Sequence, residues 1–305
     1  MNARYRIEHD TRYVYATSVA TSQHVAYLRP RELTSQHVRS SAVDVDPAPM
    51  RVIQRTDYFG NLVDQFELLR PHMELRVSGH SVVDVVARPT PVDPSLSPRW
   101  KDAQQTLCGV TTPPDVAQFV FASPYVPLAT EMRAFARSSF PEQRTLLAGA
   151  IDLMHRIHRD FTFDPSATNI TTPLTRVLAD RRGVCQDFAH FQIACLRTLG
   201  LAARYVSGYL LTDPPAGQPR LNGADASHAW LSVDCPHHGW VDLDPTNDVV
   251  VGIRHVTLAW GRDYGDVSPL SGVLLVGASH RLIVGVSVVP VDPDVDSPPD
   301  AAASS

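Results

Sequence analysis

The chain's 305 residues exceed the usual size of a single domain, and 44% apolar against 19% charged residues supplies material for a large core. Its 27 basic and 32 acidic residues are interspersed and sum to −5, which excludes the basic stripe that nucleic-acid binding requires. The first ten residues lack the apolar stretch of a secretory signal and no apolar run approaches bilayer length, so the expectation is a cytoplasmic protein that engages no membrane.

From Arg4 to about Arg88 the pattern is that of strands. Polar and apolar residues alternate in Tyr5-Arg6-Ile7-Glu8, β-branched and aromatic residues crowd Arg12-Tyr13-Val14-Tyr15, and further runs follow at 74–77 and 81–86. Gly60-Asn61 lies between apolar runs and predicts a hairpin. Residues 1–88 therefore read as an N-terminal antiparallel β domain. Pro89, Pro91, Pro94 and Pro98 forbid a central strand and a helix alike, which makes 89–112 a linker.

Residues 113–290 read as a second domain. Helical spacing begins near Thr130 and is clearest at Leu147, Ile151, Met154 and His158, predicting an amphipathic helix over 143–159. Pro173, a favoured first-turn residue, opens a short helix through Leu178. Phe188, Phe191, Cys195, Leu196 and Leu199 share one face of a helix that starts at Cys185 and stops at Gly200. Strand-like runs follow at 203–206, 228–233 and 239–243. Helices thus precede strands, an α+β layout. The Asp, Pro and small residues of 291–305 predict a disordered tail.

Cys185 begins its helix, where unpaired N–H groups and the positive end of the helix dipole favour the thiolate, the nucleophilic form of cysteine. His228 opens a strand-like run from which a side chain projects rigidly toward a neighbouring helix end, whereas His190 points to another side of the Cys185 helix. A hairpin after His228 would carry a carboxylate, Asp242 or Asp244, to the far nitrogen of its ring. Alternation puts both acids on one side of the strand and does not choose between them, although Pro245 ends the strand at Asp244. The irregular spacing of Cys108, Cys185, Cys195 and Cys235 argues against a disulfide framework and a four-cysteine zinc site. Cys235-Pro236-His237-His238 reads as a turn rather than, with His228, a zinc site. No metal and no cofactor is expected.

The blocks Thr172-Pro173-Leu174-Thr175-Arg176-Val177-Leu178 and Arg182-Gly183-Val184-Cys185-Gln186-Asp187-Phe188-Ala189-His190 resemble the nucleophile region of the transglutaminase-like superfamily. Leu199-Gly200-Leu201-Ala202-Ala203-Arg204-Tyr205-Val206 is similar to its next strand block. His228-Ala229-Trp230 and Gly239-Trp240-Val241-Asp242-Leu243-Asp244-Pro245-Thr246-Asn247 are similar to its histidine and aspartate blocks. The N-terminal half resembles the β domain found ahead of this core in a bacterial branch, and the similarity runs to about Val289.

The resemblance implies an α+β fold: an N-terminal antiparallel β domain, then a papain-like, transglutaminase-like core whose nucleophile sits at a helix N-terminus packed on an antiparallel sheet. It makes Cys185 the nucleophile, His228 the base and then acid, and Asp244, over Asp242, the orienting carboxylate. The implied reaction is acyl transfer on an amide of a peptide or protein through a thioester. Hydrolysis is the expectation; transfer to an amine and a non-catalytic peptide-binding module are the alternatives. Gln186, Asp187, His190, Trp230 and Asp242 are candidates for supporting positions. Among them the Gln186 side chain is expected to point away, Asp187 to act as a first-turn helix carboxylate, and Trp230, with Trp240, to form core or cleft walls. Gly261-Arg262-Asp263-Tyr264-Gly265-Asp266 also resembles the family and is expected to form a turn near the cleft.

Overall fold

The computed structural model describes residues 2–88, 92–109, 112–213, 227–236, 238–275 and 279–292. Six strands come first: β1 (Asn2–Val19), β2 (Thr21–Ala26), β3 (Gln36–Asp46), β4 (Val52–Thr56), β5 (Leu62–Leu68) and β6 (His72–Val86). A mostly helical stretch follows, with α1 (Trp100–Leu107), α2 (Pro114–Ala117), α3 (Thr130–Arg137), α4 (Leu146–Asp160), β7 (Thr162–Phe163), α5 (Leu174–Asp180), β8 (Arg182–Gly183) and α6 (Cys185–Thr198). The chain then forms β9 (Ala203–Leu210), β10 (Ser227–Cys235), β11 (Gly239–Asp244), β12 (Val249–Val250), β13 (His255–Gly261), α7 (Tyr264–Val267), β14 (Leu270–Leu275) and β15 (His280–Val291). No helix among the described residues is long and apolar enough to cross a membrane.

The N-terminal strands build two antiparallel sheets, each completed by a strand from the far end of the chain: β15-β1-β6-β3 and β14-β2-β5-β4. β15 pairs with β1 from Arg4 opposite Val291 to Tyr15 opposite His280, and β14 pairs with β2. Tyr15, Val19, Phe66, Leu68, Leu75, Val77 and Leu270 form the core of this unit. The expected boundary at residue 290 is thereby corrected. Residues 270–291 complete the N-terminal β unit, because β1 and β2 would otherwise be edges with unpaired backbone groups. Val291 is a strand residue, and 293–305, the rest of the expected tail, lie outside the described residues.

The expected hairpin joins β4 to β5. Gly60 takes the φ of +77° that suits glycine, and Asp57 accepts from the N–H groups of Phe59 and Asn61. The expected linker is also revised. Asp93 caps a single 3₁₀ turn at Pro94–Leu96, α1 follows, and Leu146 N–H donates to Pro98 O at 2.8 Å. Proline fits a first helical turn because the N–H it lacks would be unpaired there. Pro89 and Pro91 lie outside the described residues.

In the second half, α4 turns Leu146, Leu147, Ala150, Leu153, Met154 and Ile157 inward at helical spacing. Every residue of α6 from Asp187 to Arg197 is buried, which makes it the central helix. It packs on the antiparallel sheet β12-β11-β10-β9-β13, whose Ala229, Leu231, Val233, Val241 and Leu243 share one core with Phe188, Phe191 and Ile193. The open edge of this sheet, β13, is covered by two side-chain amides from the N-terminal unit. Gln36 exchanges hydrogen bonds with the backbone of Thr257, both at 2.8 Å, and Asn61 does the same with Trp260 at 2.9 and 3.0 Å. Each amide stands in for a neighbouring strand, satisfying a donor and an acceptor at once.

Candidate active site

Cys185 is the first residue of α6 and is partly exposed. The chain around it is tightly specified. Arg181 leaves α5 in the left-handed region at φ 53°, β8 pairs with β7, and Val184 N–H donates to Asp187 Oδ2 at 2.8 Å to close the first turn. Thr168 Oγ1–H reaches the same oxygen at 2.6 Å. Gly183 leaves no room for a side chain, since a Cβ there would lie 2.7 Å from Asp187 Oδ2. Asp187 is thus a helix-start carboxylate, as its position implies; burial pushes its carboxyl up and these two hydrogen bonds oppose the rise.

His228 lies near the start of β10, opposite Gly208 of β9, and Asp244 ends β11. The β10–β11 register pairs Leu231 with Leu243 and Ser232 with Asp242, so Asp244 reaches back toward the start of β10 and Asp242 stops short. His228 Nε2–H donates to Asp244 Oδ2 at 2.7 Å. Its other nitrogen, Nδ1, makes no bond to Asp244, and Cys185 lies close enough to favour a charged His228. Asp242 instead accepts from Trp230 Nε1–H at 3.3 Å.

The Asp244 carboxylate is fully buried and saturated. Besides His228, Oδ2 accepts from Asn247 Nδ2 at 2.7 Å and His255 Nε2 at 3.1 Å, while Oδ1 accepts from the backbone N–H groups of Thr246 and Asn247 at 2.9 and 3.2 Å. Burial by itself would favour the protonated acid, but these donors hold its carboxyl well below the usual range. Burial also disfavours a charged His228, yet its bond to Asp244 and the nearby Cys185 prevail and raise its pKa to about 10. At neutral pH an imidazolium therefore lies beside an ionised carboxylate.

Of the supporting candidates, Gln186, Asp187 and His190 line a cavity of about 340 Å³ together with Tyr125, Ile170 and Pro173. His190 is stacked on Tyr125 with ring centroids 5.8 Å apart, and its Nε2 accepts from Tyr264 N–H at 3.1 Å. Burial lowers its pKa to about 3, so it is a neutral acceptor. Where a turn was expected, Gly261 ends β13 and Asp263 caps α7; Asp263 also accepts from Tyr125 N–H at 2.9 Å and so braces the cavity wall. Trp230 is buried against both His228 and His255, whereas Trp240 packs against Arg204 and Phe119.

Cys235 ends β10, at the opposite end from His228, His238 lies in the turn to β11, and His237 lies outside the described residues. Ligand atoms of His228, Asp244 and His255 do lie within 4.8 Å of one another. Both imidazole Nε2 atoms, however, are committed as donors to one carboxylate oxygen, and a cation there would have to displace both protons. Sequence reasoning does not single out Asn247 or His255 as site residues. Asn247 was legible, because an Asp-Pro-Thr-Asn turn folds its amide back on the aspartate. His255 was not, since it reaches Asp244 from β13, which pairs with β9 and not with β11.

Two family models match the chain, "Bacterial transglutaminase-like N-terminal region" over residues 5–84 and "Transglutaminase-like superfamily" over residues 133–245. An uncharacterized protein of Mycobacterium tuberculosis strain H37Rv is 39% identical over 300 residues, 95% of this chain and 94% of that one. The chain belongs to the transglutaminase-like superfamily. A protein-glutamine gamma-glutamyltransferase of Pseudomonas aeruginosa is 28% identical over 124 residues, 40% of this chain and 19% of that protein. The transglutaminase-like fold is also found in the crystal structure of a candidate cysteine protease from Cytophaga hutchinsonii. It superposes with a TM-score of 0.75 at 20% identity, covering 96% of this chain and 92% of that one. The α+β fold, with its N-terminal β region ahead of a transglutaminase-like, papain-like core, is as the sequence implies.

Proposed function

We propose that this chain is a cysteine-dependent enzyme that cleaves an amide bond of a peptide or protein through a thioester at Cys185. The observation that carries the reading is the convergence of Cys185 at a helix start, His228 close beside it, and a saturated Asp244 hydrogen-bonded to His228. The Cys185 thiolate attacks the carbonyl carbon, and the oxyanion draws on the unpaired N–H groups of the α6 first turn, that of Cys185 included. As the C–N bond breaks, His228 gives its Nδ1 proton to the leaving amine. His228, now neutral, takes a proton from water, whose oxygen attacks the thioester. The S–C bond breaks, the acid leaves, and the thiolate and imidazolium are restored. Asp244 fixes the ring orientation throughout and stabilises its cation.

Hydrolysis is the favoured resolution, since Cys185 is partly exposed and water has access to a thioester there. Transfer to an amine is the second reading, favoured by the similarity to the Pseudomonas aeruginosa gamma-glutamyltransferase. Incubation with p-nitrophenyl acetate should place an acetyl group on Cys185, read by peptide mass spectrometry, and Cys185→Ala should abolish it. Acetylation that persists on another residue at an equal rate would refute the thioester. Decay of the acetyl-enzyme in millimolar glycinamide should yield mainly acetate; a majority of N-acetylglycinamide would establish transfer instead.

A further inference from the structure

We propose that His255 is a positioning residue of this site, whose Nε2–H completes the donor set that aims Asp244 at His228. The inference rests on the reading of Cys185 as nucleophile. His255 opens β13 with its side chain 4% exposed, and its Nε2 lies 3.1 Å from Asp244 Oδ2, the same oxygen that His228 engages. Its Nδ1 is buried and has no hydrogen-bond partner among the described residues. A buried imidazole with one nitrogen unpaired carries a desolvation cost that an apolar residue of similar size would not. Its one side-chain hydrogen bond among the described residues is the bond to Asp244.

The unpaired nitrogen also selects the tautomer. A bare lone pair is less costly to bury than an unpaired N–H, so the proton resides on Nε2, where the carboxylate accepts it. The opposite tautomer would turn a lone pair toward a negatively charged oxygen and push Asp244 away from His228. Packing holds the ring in place. Trp230 meets His255 edge to face, with centroids 5.2 Å apart, and lies tilted against His228 at 6.0 Å. The indole thus packs against both histidines that share the carboxylate, whose own ring centroids are 6.1 Å apart. Hydrogen bond and packing can be separated, because phenylalanine keeps a ring without the N–H and glutamine keeps an N–H near the Nε2 position without the ring.

Acetylation of Cys185 by p-nitrophenyl acetate is the probe, with kcat and KM measured for wild type, His255→Phe and His255→Gln. Loss of one donor to a charged acceptor predicts a fall in kcat of about tenfold for His255→Phe with KM unchanged. His255→Gln should recover most of it. A His255→Phe variant as fast as wild type, or a His255→Gln variant no faster than His255→Phe, overturns the proposal. Should His255→Phe fail to fold, imidazole ¹⁵N chemical shifts of the wild type decide: a proton on Nε2 of His255 supports the role and a proton on Nδ1 overturns it. If Cys185→Ala still forms acetyl-enzyme at the wild-type rate, the underlying reading fails. If that variant is inert and His255→Phe is unimpaired, only the role of His255 fails.

Discussion

At the scale of single residues, Asp244 and Asp242 are chemically identical, two positions apart and on the same side of one strand, yet their surroundings differ sharply. Asp244 gathers five N–H donors, from His228, Asn247 twice, Thr246 and His255, and is fully buried. Asp242 takes one indole N–H at 3.3 Å. Asp244→Asn replaces an acceptor-only group with one that must present an NH₂, which disorients His228 and removes the charge opposite its cation. Acyl transfer should fall by about 10²–10⁴-fold, measured as kcat for Cys185 acetylation. Asp242→Asn keeps an acceptor for Trp230 and should change the same rate by less than about tenfold. Equal losses in the two variants would dissolve the distinction.

At the scale of elements, the site depends on a register and on a missing side chain. The β10–β11 hairpin sets which aspartate meets His228, and β9 contributes Gly208 between His228 and Thr257. A Cβ on Gly208 would lie 2.2 Å from Val256 O and 2.4 Å from the Trp230 ring. Neither can yield easily, one being backbone and the other a fully buried indole. Gly208→Ala should therefore destabilise the fold by about 1–3 kcal/mol, read as a lower urea midpoint, and displace Trp230 from its place against the two histidines. A midpoint equal to wild type would show that the sheet relaxes at little cost. The nucleophile's own element was largely legible, because apolar spacing, a first-turn Asp187 and the stop at Gly200 are local signals. The hairpin register was less so, since alternation treats Asp242 and Asp244 alike.

At the scale of the molecule, buried histidines set the pH range of stability. Burial lowers His9 and His24 to about 4 and His190 to about 3, so the stability they contribute is present above pH 6.5 and is lost as pH falls toward those values. His228 works in the opposite sense. Raised to about 10, it contributes stability that is full below pH 6.5 and is lost as pH rises toward 10. Urea midpoints should peak near neutrality. The decline between pH 6.5 and 9 should flatten in His228→Gln, and an unchanged slope in that variant would remove His228 as its cause.

The α+β class, the N-terminal strands, the helix that begins at Cys185 and the His228 and Asp244 blocks were determined by the sequence itself, because periodicity, turn residues and helix ends are local properties. Tertiary structure decided the rest. Nothing near residues 270–291 signals that they complete sheets begun at residue 2, since pairing between β15 and β1 is a contact between the two ends of the chain. Nor does the sequence around His255 signal Asp244. That contact depends on a strand order that places β13 beside β9, and on a glycine that lets Trp230 settle against both histidines. Such convergence is set by the packing of whole sheets, and a local pattern carries no record of it.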